Sequence, residues 1–266
     1  MTRLLIERNI DFEVSATYRS KIQFPEKNIK SYLFNSHDFD PEIKRSLKNA
    51  THILISTPPE VEQIIIKYFL SSLQKNQNLK WVGYLSSTSV YGDHEGDWVE
   101  ETSSTKATSE MGLKRIEAEQ LLLNSNLPIR IFRLAGIYSL ERNVFLRLKK
   151  QEIKTISMKD QIFSRIHVED IAQVLFSSFS KSKNKDIFNV SDDVPCSYKE
   201  VVQYAAALLQ VEMPKEINFE DLENSKMKDF YRDRKKVQNS KIKSMGVKLK
   251  HQTFKEGFTD IFNQIS

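Results

Sequence analysis

Cysteine is nearly absent: Cys196 is the single one among 266 residues. One thiol cannot close an intramolecular disulfide or build a multi-cysteine metal site. The lack of disulfides agrees with a reducing compartment, so the cytoplasm is the expected location. Long apolar runs are missing too. None approaches the roughly 20 residues of a membrane-spanning helix, and no membrane partner is expected. The N-terminus MTRLLIERNIDFEV carries acids too early for a secretory signal and offers no small-residue cleavage site. Neither sign of charge dominates: 40 basic residues stand against 35 acidic ones, a formal net of +5. Such a surface mildly favours small anionic ligands. Aromatic-basic interleaving of the nucleic-acid-binding kind is absent, so no nucleic-acid partner is expected. No internal repeat or low-complexity linker divides the chain. Glycine is scarce, with seven in all, which matters at the N-terminus.

What is present is an alternation of strand-like and helix-like segments, which argues for a parallel sheet with crossover helices. Strands are expected at 12–17, 29–34, 51–56, 81–86 and 129–134. A helix over 60–74 carries Val61, Ile64, Ile65, Tyr68, Phe69 and Leu73 at a period near 3.6. Pro58 and Pro59 before it suit a helix entry and cannot continue a central strand. A second amphipathic helix covers 109–124. Beyond it the rhythm loosens into a helix at 142–150, a short strand at 162–166, a helix at 168–178, a strand at 186–190 and a strong helix at 198–209. The charged, interrupted stretch 212–236 reads as surface segments. The fold class is therefore α/β, with a parallel sheet that falls mostly within residues 1–160. A small mixed α+β substrate-side lobe covers 161–266 and sends chain back into the sheet.

Chemistry concentrates where the strand at 81–86 ends, in Leu85-Ser86-Ser87-Thr88-Ser89-Val90-Tyr91-Gly92-Asp93. In an open α/β sheet ligands bind in the crevice beyond the carboxyl ends of the strands. Hydroxyls there can hold a substrate oxygen or polarise a carbonyl. The same serines also suit a turn that caps the next segment, and spacing alone leaves both readings open. Three further segments follow in order: Arg133-Leu134-Ala135-Gly136-Ile137-Tyr138, Arg165-Ile166-His167-Val168-Glu169-Asp170-Ile171-Ala172, and Phe188-Asn189-Val190-Ser191. Together with SSTSVYGD and the later Glu100-Glu101 they resemble the extended short-chain dehydrogenase/reductase superfamily, in the style of its NAD-dependent epimerase/dehydratase-like members. The resemblance runs from Phe12 to about Phe258 and implies a Rossmann-like doubly wound parallel sheet, with its NAD(P)-binding part over residues 1–160.

That resemblance implies roles for particular residues. Ser87 falls where the hydroxyl meets the reacting substrate oxygen, with Thr88 beside it as a substrate contact. Arg19, followed by Ser20, falls where a basic residue meets the 2′-phosphate of NADP, which a guanidinium fits by charge and forked geometry. An acid at the end of that strand would favour NAD, and none stands there; NADP is the expected cofactor and NAD the alternative. Ser56, Thr57 and Pro58 would border the adenosine and pyrophosphate, and Leu134, Ala135, Gly136 and Ile137 the nicotinamide. His167 and Asp170 would shape the substrate-side loop, with His167 among the substrate contacts. The implied substrate is a nucleotide sugar or a similar small molecule. A homodimer through the helices at 60–74 and 109–124 is also implied, and no metal.

The chain departs from the family twice. In place of the family's Tyr-x-x-x-Lys stand Met111 and Arg115. A thioether cannot transfer a proton, whereas Arg115 keeps its charge and can bind ribose hydroxyls. Tyr91 is then the candidate replacement acid, the second catalytic candidate beside Ser87, and a substrate contact with Thr88 and His167. The function implied is an NAD(P)-binding epimerase, dehydratase or reductase-like protein with an altered catalytic site. The alternative is a non-catalytic dinucleotide- or partner-binding protein of the same fold. The second departure is the missing glycine-rich turn, since 2–9 reads as the later part of a first helix leading straight into the strand at 12–17. A central strand and its turn, roughly 15 residues, would be wanting from the order 3-2-1-4-5-6. Strand two must then pair with strand four, or leave two unpaired edges. The expectation is that the natural polypeptide begins upstream of Met1.

Overall fold

The computed structural model describes residues 1–8, 12–19, 29–35, 38–150, 154–158, 160–222, 228 and 231–265. Along the chain the elements are α1 (Thr2–Glu7), β1 (Ser15–Tyr18), β2 (Lys30–Leu33), α2 (Glu42–Asn49), β3 (His52–Ile55), α3 (Pro59–Gln74) and β4 (Trp81–Ser87). A 3-10 turn (Thr88–Tyr91), β5 (Trp98–Val99), α4 (Glu110–Leu123), β6 (Ile129–Leu134), β7 (Gly136–Tyr138), α5 (Val144–Lys149) and β8 (Thr155–Ser157) follow. Then come β9 (Arg165–His167), α6 (Val168–Lys181), β10 (Asp186–Val190), α7 (Tyr198–Leu209), β11 (Glu216–Asn218), β12 (Lys236–Val237), α8 (Ser240–Ser244) and α9 (Phe254–Ile265).

The centre is a parallel sheet in the order β10-β6-β4-β3. Its register sets Ile55 beside Tyr84, Tyr84 beside Ile131 and Phe132 beside Phe188. Side chains alternate across it, as a period of two requires. On one face Val82, Tyr84, Ile129 and Ile131 pack under Leu73 of α3 and Ala118 and Leu122 of α4. On the other, Trp81, Phe132, Leu134 and Phe188 pack under Val174 and Leu175 of α6 and Ile242 of α8. Helices on both faces make the sheet doubly wound, as its sequence pattern predicts. Burial of each such side chain contributes about 1.5–3 kcal/mol. A third cluster, with Tyr138, Phe145, Val202, Phe254 and Phe258, joins α5, α7 and α9 beyond the sheet's carboxyl rim.

Elements with a strong periodic signal begin and end where expected: β6, β10 and α7 do so to the residue. The helix expected at 142–150 begins later, at Val144, because the Asn143 side chain accepts the Leu146 N–H at 3.2 Å and caps it there. The strand expected at 162–166 is displaced to Arg165–His167, which pairs with β7, while Phe163 makes an isolated antiparallel bridge to Cys196.

β1 and β2 do not join the central sheet. They form a parallel pair of their own. Among the described residues β1 pairs with β2 and β3 with β4, so each keeps one free edge. Of the two arrangements the sequence leaves open, the structure adopts the one with two unpaired edges. The pair is held beside the sheet by side chains: the Phe12 ring lies 5.9 Å from that of His52, and Phe34 lies 5.8 Å from Phe69 of α3.

Candidate functional site

Alternation along β4 separates its two terminal serines. Ser86 faces α4, where its hydroxyl donates to Glu119 Oε1 at 2.5 Å. Ser87 takes the opposite side and lines a cavity of about 1300 Å³ at the carboxyl rim of the sheet. Its Oγ accepts the Ser89 N–H at 3.1 Å, which starts the 3-10 turn and leaves the hydroxyl proton free for another acceptor. Thr88, Leu134, Ala135, Gly136, Ile137 and Met111 line the same cavity, and Tyr198, Tyr231 and Phe258 close it from the C-terminal side. Six of the residues expected at the site are thus gathered in one place: Ser87, Thr88 and the four from Leu134 to Ile137.

The rim is braced from beneath by a buried polar network. Arg133 on β6 forms a two-pronged ion pair with Glu119 of α4, at 2.8 Å between Nη2 and Oε2 and 3.2 Å from Nε to either oxygen. Its Nη1 donates to the Tyr91 hydroxyl at 2.9 Å, and that hydroxyl donates to Asn189 Oδ1 on β10 at 2.7 Å. Tyr91 is therefore committed to the core and is not part of the cavity lining. Burial, partly offset by Arg133, raises its phenol above the ordinary range. The geometry turns its proton away from Ser87 and does not support the acid role expected of it. Glu119, Arg133 and Asn189 instead fix the turn that carries Ser87.

Met111 is 41% exposed in the cavity wall at the start of α4. That helix is capped by Ser109, whose Oγ accepts the Gly112 N–H at 3.2 Å. Arg115, one turn on, lies against the sheet: its Nη1 donates to Leu85 O at 2.7 Å and to the Tyr84 hydroxyl at 3.0 Å. It is not among the cavity-lining residues.

Arg19 is exposed just past the end of β1. Ser20 lies outside the described residues. Ser56, Thr57 and Pro58 follow the carboxyl end of β3, and the Thr57 hydroxyl is buried with no hydrogen-bond partner among the described residues. None of these lines the cavity. No glycine precedes Gly83, so no described glycine turn cradles a pyrophosphate near β1.

His167 is buried away from the cavity, with its ring 4.1 Å from that of His251 and 5.1 Å from Tyr138. Burial and the neighbouring His251 lower its pKa. His251 is held through both ring nitrogens, by Asp170 and Asp260 at 3.0 Å each. Burial opposes its charge, but the two carboxylates outweigh it and raise its pKa. His167, Asp170 and His251 bring ligand-type atoms within 4.8 Å of one another, but both ring nitrogens of His251 are already taken by the two carboxylates. The arrangement is an ionic clamp between the start of α6 and α9, and it agrees with a shaping role for His167 and Asp170 rather than substrate contact.

The sequence reading passed over Glu119, Asn189, Asp192 and His251, and it placed Lys235 in a charged surface stretch, whereas Lys235 is buried. Glu119 carried a signal, a carboxylate beside the core-facing Ala118 and Leu122 of an amphipathic helix, in a chain whose strand IRIFRL carries two arginines. The others gain their meaning only from tertiary placement.

No protein-family model matches the chain, and no curated protein matches it. Solved structures do. A functionally unknown conserved protein from Silicibacter pomeroyi DSS is 33% identical with a TM-score of 0.86, over 99% of this chain and 93% of that one. The dTDP-glucose 4,6-dehydratase of Bacillus anthracis str. Ames, in complex with NAD, is 14% identical with a TM-score of 0.80, over 98% and 90% of the two chains. MoeE5, in complex with UDP-glucose and NAD, is 17% identical with a TM-score of 0.75, over 99% and 93%. The chain is related over nearly its whole length to the S. pomeroyi protein and shares the doubly wound fold of the other two, and the ordered segments around Ser87, Arg133, His167 and Asn189 resemble the extended short-chain dehydrogenase/reductase superfamily.

Proposed function

We propose that the chain is a cytoplasmic protein that binds a nicotinamide dinucleotide along the carboxyl ends of β1, β3, β4 and β6. A nucleotide sugar or similar small polyol would occupy the cavity beyond. One observation carries this reading: Ser87 and the segment Leu134 to Ile137 line a single cavity at the rim where such sheets bind ligands. The NAD of the B. anthracis dehydratase and the NAD and UDP-glucose of MoeE5 support it. The fit is good at the nicotinamide end. At the adenosine end the unpartnered Thr57 hydroxyl and the exposed Arg19 are suited to phosphate oxygens, while the described residues supply no glycine cradle.

When bound, the dinucleotide would supply a hydride acceptor for a substrate C–H. Ser87 would hold the oxygen on that carbon through its free hydroxyl proton. The apolar Tyr68 of α3 and Leu113 and Leu121 of α4, all exposed, would then belong to a homodimer contact.

Arg19 makes NADP the expected form. Fluorescence titration should show NADPH binding more tightly than NADH, and Arg19→Ala should weaken NADPH about tenfold while leaving NADH unchanged, as loss of one charge-assisted phosphate contact requires. Equal affinities unaltered by the substitution would remove the NADP assignment. Failure of either nucleotide to bind would remove the whole reading.

Met111 favours a second reading, a non-catalytic binding protein of the same fold, because the wall beside Ser87 holds a thioether where the family has a phenol. Turnover of UDP- or dTDP-sugars that is lost in Ser87→Ala supports the enzyme. NADPH binding without turnover of any sugar in that panel supports the second reading.

A further inference from the structure

We infer that Lys235 selects a substrate bearing an anionic group, a carboxylate or a phosphate, at the end that approaches the Ser87 turn. The inference deepens the proposed function and rests on its reading of the cavity as the substrate site. Lys235 immediately precedes β12, whose pairing with β5 fixes the backbone there. Only 8% exposed, it lines the same cavity as Ser87 and Met111. Its Nζ donates to Gly92 O at 2.9 Å, and Gly92 ends the 3-10 turn that Ser87 begins. The ammonium is thereby anchored to the loop that carries the candidate catalytic hydroxyl.

Its charge is poorly answered. The nearest carboxylate is that of Asp233, at a loose 3.5 Å. Burial holds Lys235 below the ordinary lysine range, and Asp233 and Asp93 only partly restore it. An ammonium has three N–H groups. One meets Gly92 and one faces Asp233, and the third has no partner among the described residues. A desolvated, under-compensated cation in a cavity wall gains strongly from a bound anion. The other cations of the cavity are placed differently. Arg142, Arg147 and Lys154 are exposed at its margin, and Lys114 pairs with Glu110 at 2.6 Å. Arg165 spends its guanidinium on the carbonyls of Phe163, Cys196 and Ser197. Lys235 is thus the buried cation best able to read the inner end of a ligand.

Calorimetry with UDP-glucuronic acid and UDP-glucose tests this, since the pair shares a nucleotide and differs by one carboxylate. Glucose 6-phosphate against glucose forms the phosphate arm. At least one charged member should bind about tenfold or more tightly than its neutral partner, and which arm shows the preference identifies the anion. Lys235→Met should abolish the preference, costing the charged member more affinity than UDP-glucose, and Lys235→Arg should retain part of it. The melting temperature of each variant checks that the fold persists. Equal affinities in both arms, a preference that survives Lys235→Met, or no binding of any of the four probes would overturn the inference. The probes are titrated without dinucleotide and NADPH is titrated separately, so loss of the cofactor reading is seen on its own.

Discussion

Asp192 is 1% exposed, and neither of its carboxylate oxygens meets a donor at hydrogen-bonding geometry among the described residues. Burial, opposed by Arg165, pushes its carboxyl up to about 8, whereas in an unfolded chain it titrates near ~4. The folded state therefore holds a proton that the unfolded state releases. Stability from this group is complete below the unfolded pKa, falls as pH rises and is fully lost above about 8. Asp192→Asn should leave the melting temperature at pH 4 nearly unchanged and raise it at pH 8, by about 2–4 °C for each kcal/mol recovered. An equal effect at both pH values would refute the protonation. Met111 allows a test of gain rather than loss. If Ser87 is held ready and only the proton carrier is wanting, Met111→Tyr with Arg115→Lys should raise turnover of a nucleotide sugar by about a hundredfold, the lower range of general acid catalysis. Stopped or coupled assays with NADP would read it, and unchanged rates would favour the non-catalytic protein.

Elements were legible in proportion to their length and periodicity. α7 could be bounded at both ends because Ser197 and Glu200 form a capping box ahead of an apolar repeat. β6 and β10 were legible as short runs rich in β-branched and aromatic residues. By contrast β5, β8, β11 and β12 have two or three residues each. No alternation can be read over so few positions, and their pairing is fixed only when distant segments meet. α9 was likewise not foreseen as an element, and its packing depends on one small residue. A Cβ at Gly257 would fall 2.2 Å from the Tyr138 hydroxyl oxygen, in a cluster where Tyr138 stacks on Phe258 with ring centroids 5.0 Å apart. Gly257→Ala should therefore cost about 1–3 kcal/mol, the usual penalty of overpacking, measured by denaturant unfolding. Adding Tyr138→Phe to that variant should recover part of the loss, because it removes the colliding oxygen.

At the scale of the whole molecule the molecule has a well-braced centre and a looser flank. The doubly wound architecture and the rim of the site could be foreseen from the order of the segments. The bracing could not, because Glu119, Arg133 and Asn189 come from three elements separated widely in sequence and act only together. The flank follows from the strand order: no described strand lies between β1 and β3. Among the described residues β1 and β3 each keep an edge without a ladder, so their outward-facing amides should lose hydrogen-exchange protection well before those of β4 and β6. Exchange as slow in β1 as in β6 would show that the boundary is closed in solution. This boundary also separates the two ends of the candidate site. Arg19 stands on one side of it and Ser87 on the other, joined by ring contacts rather than by a backbone ladder. A ligand long enough to grip both residues would act as a strut between the two sheets.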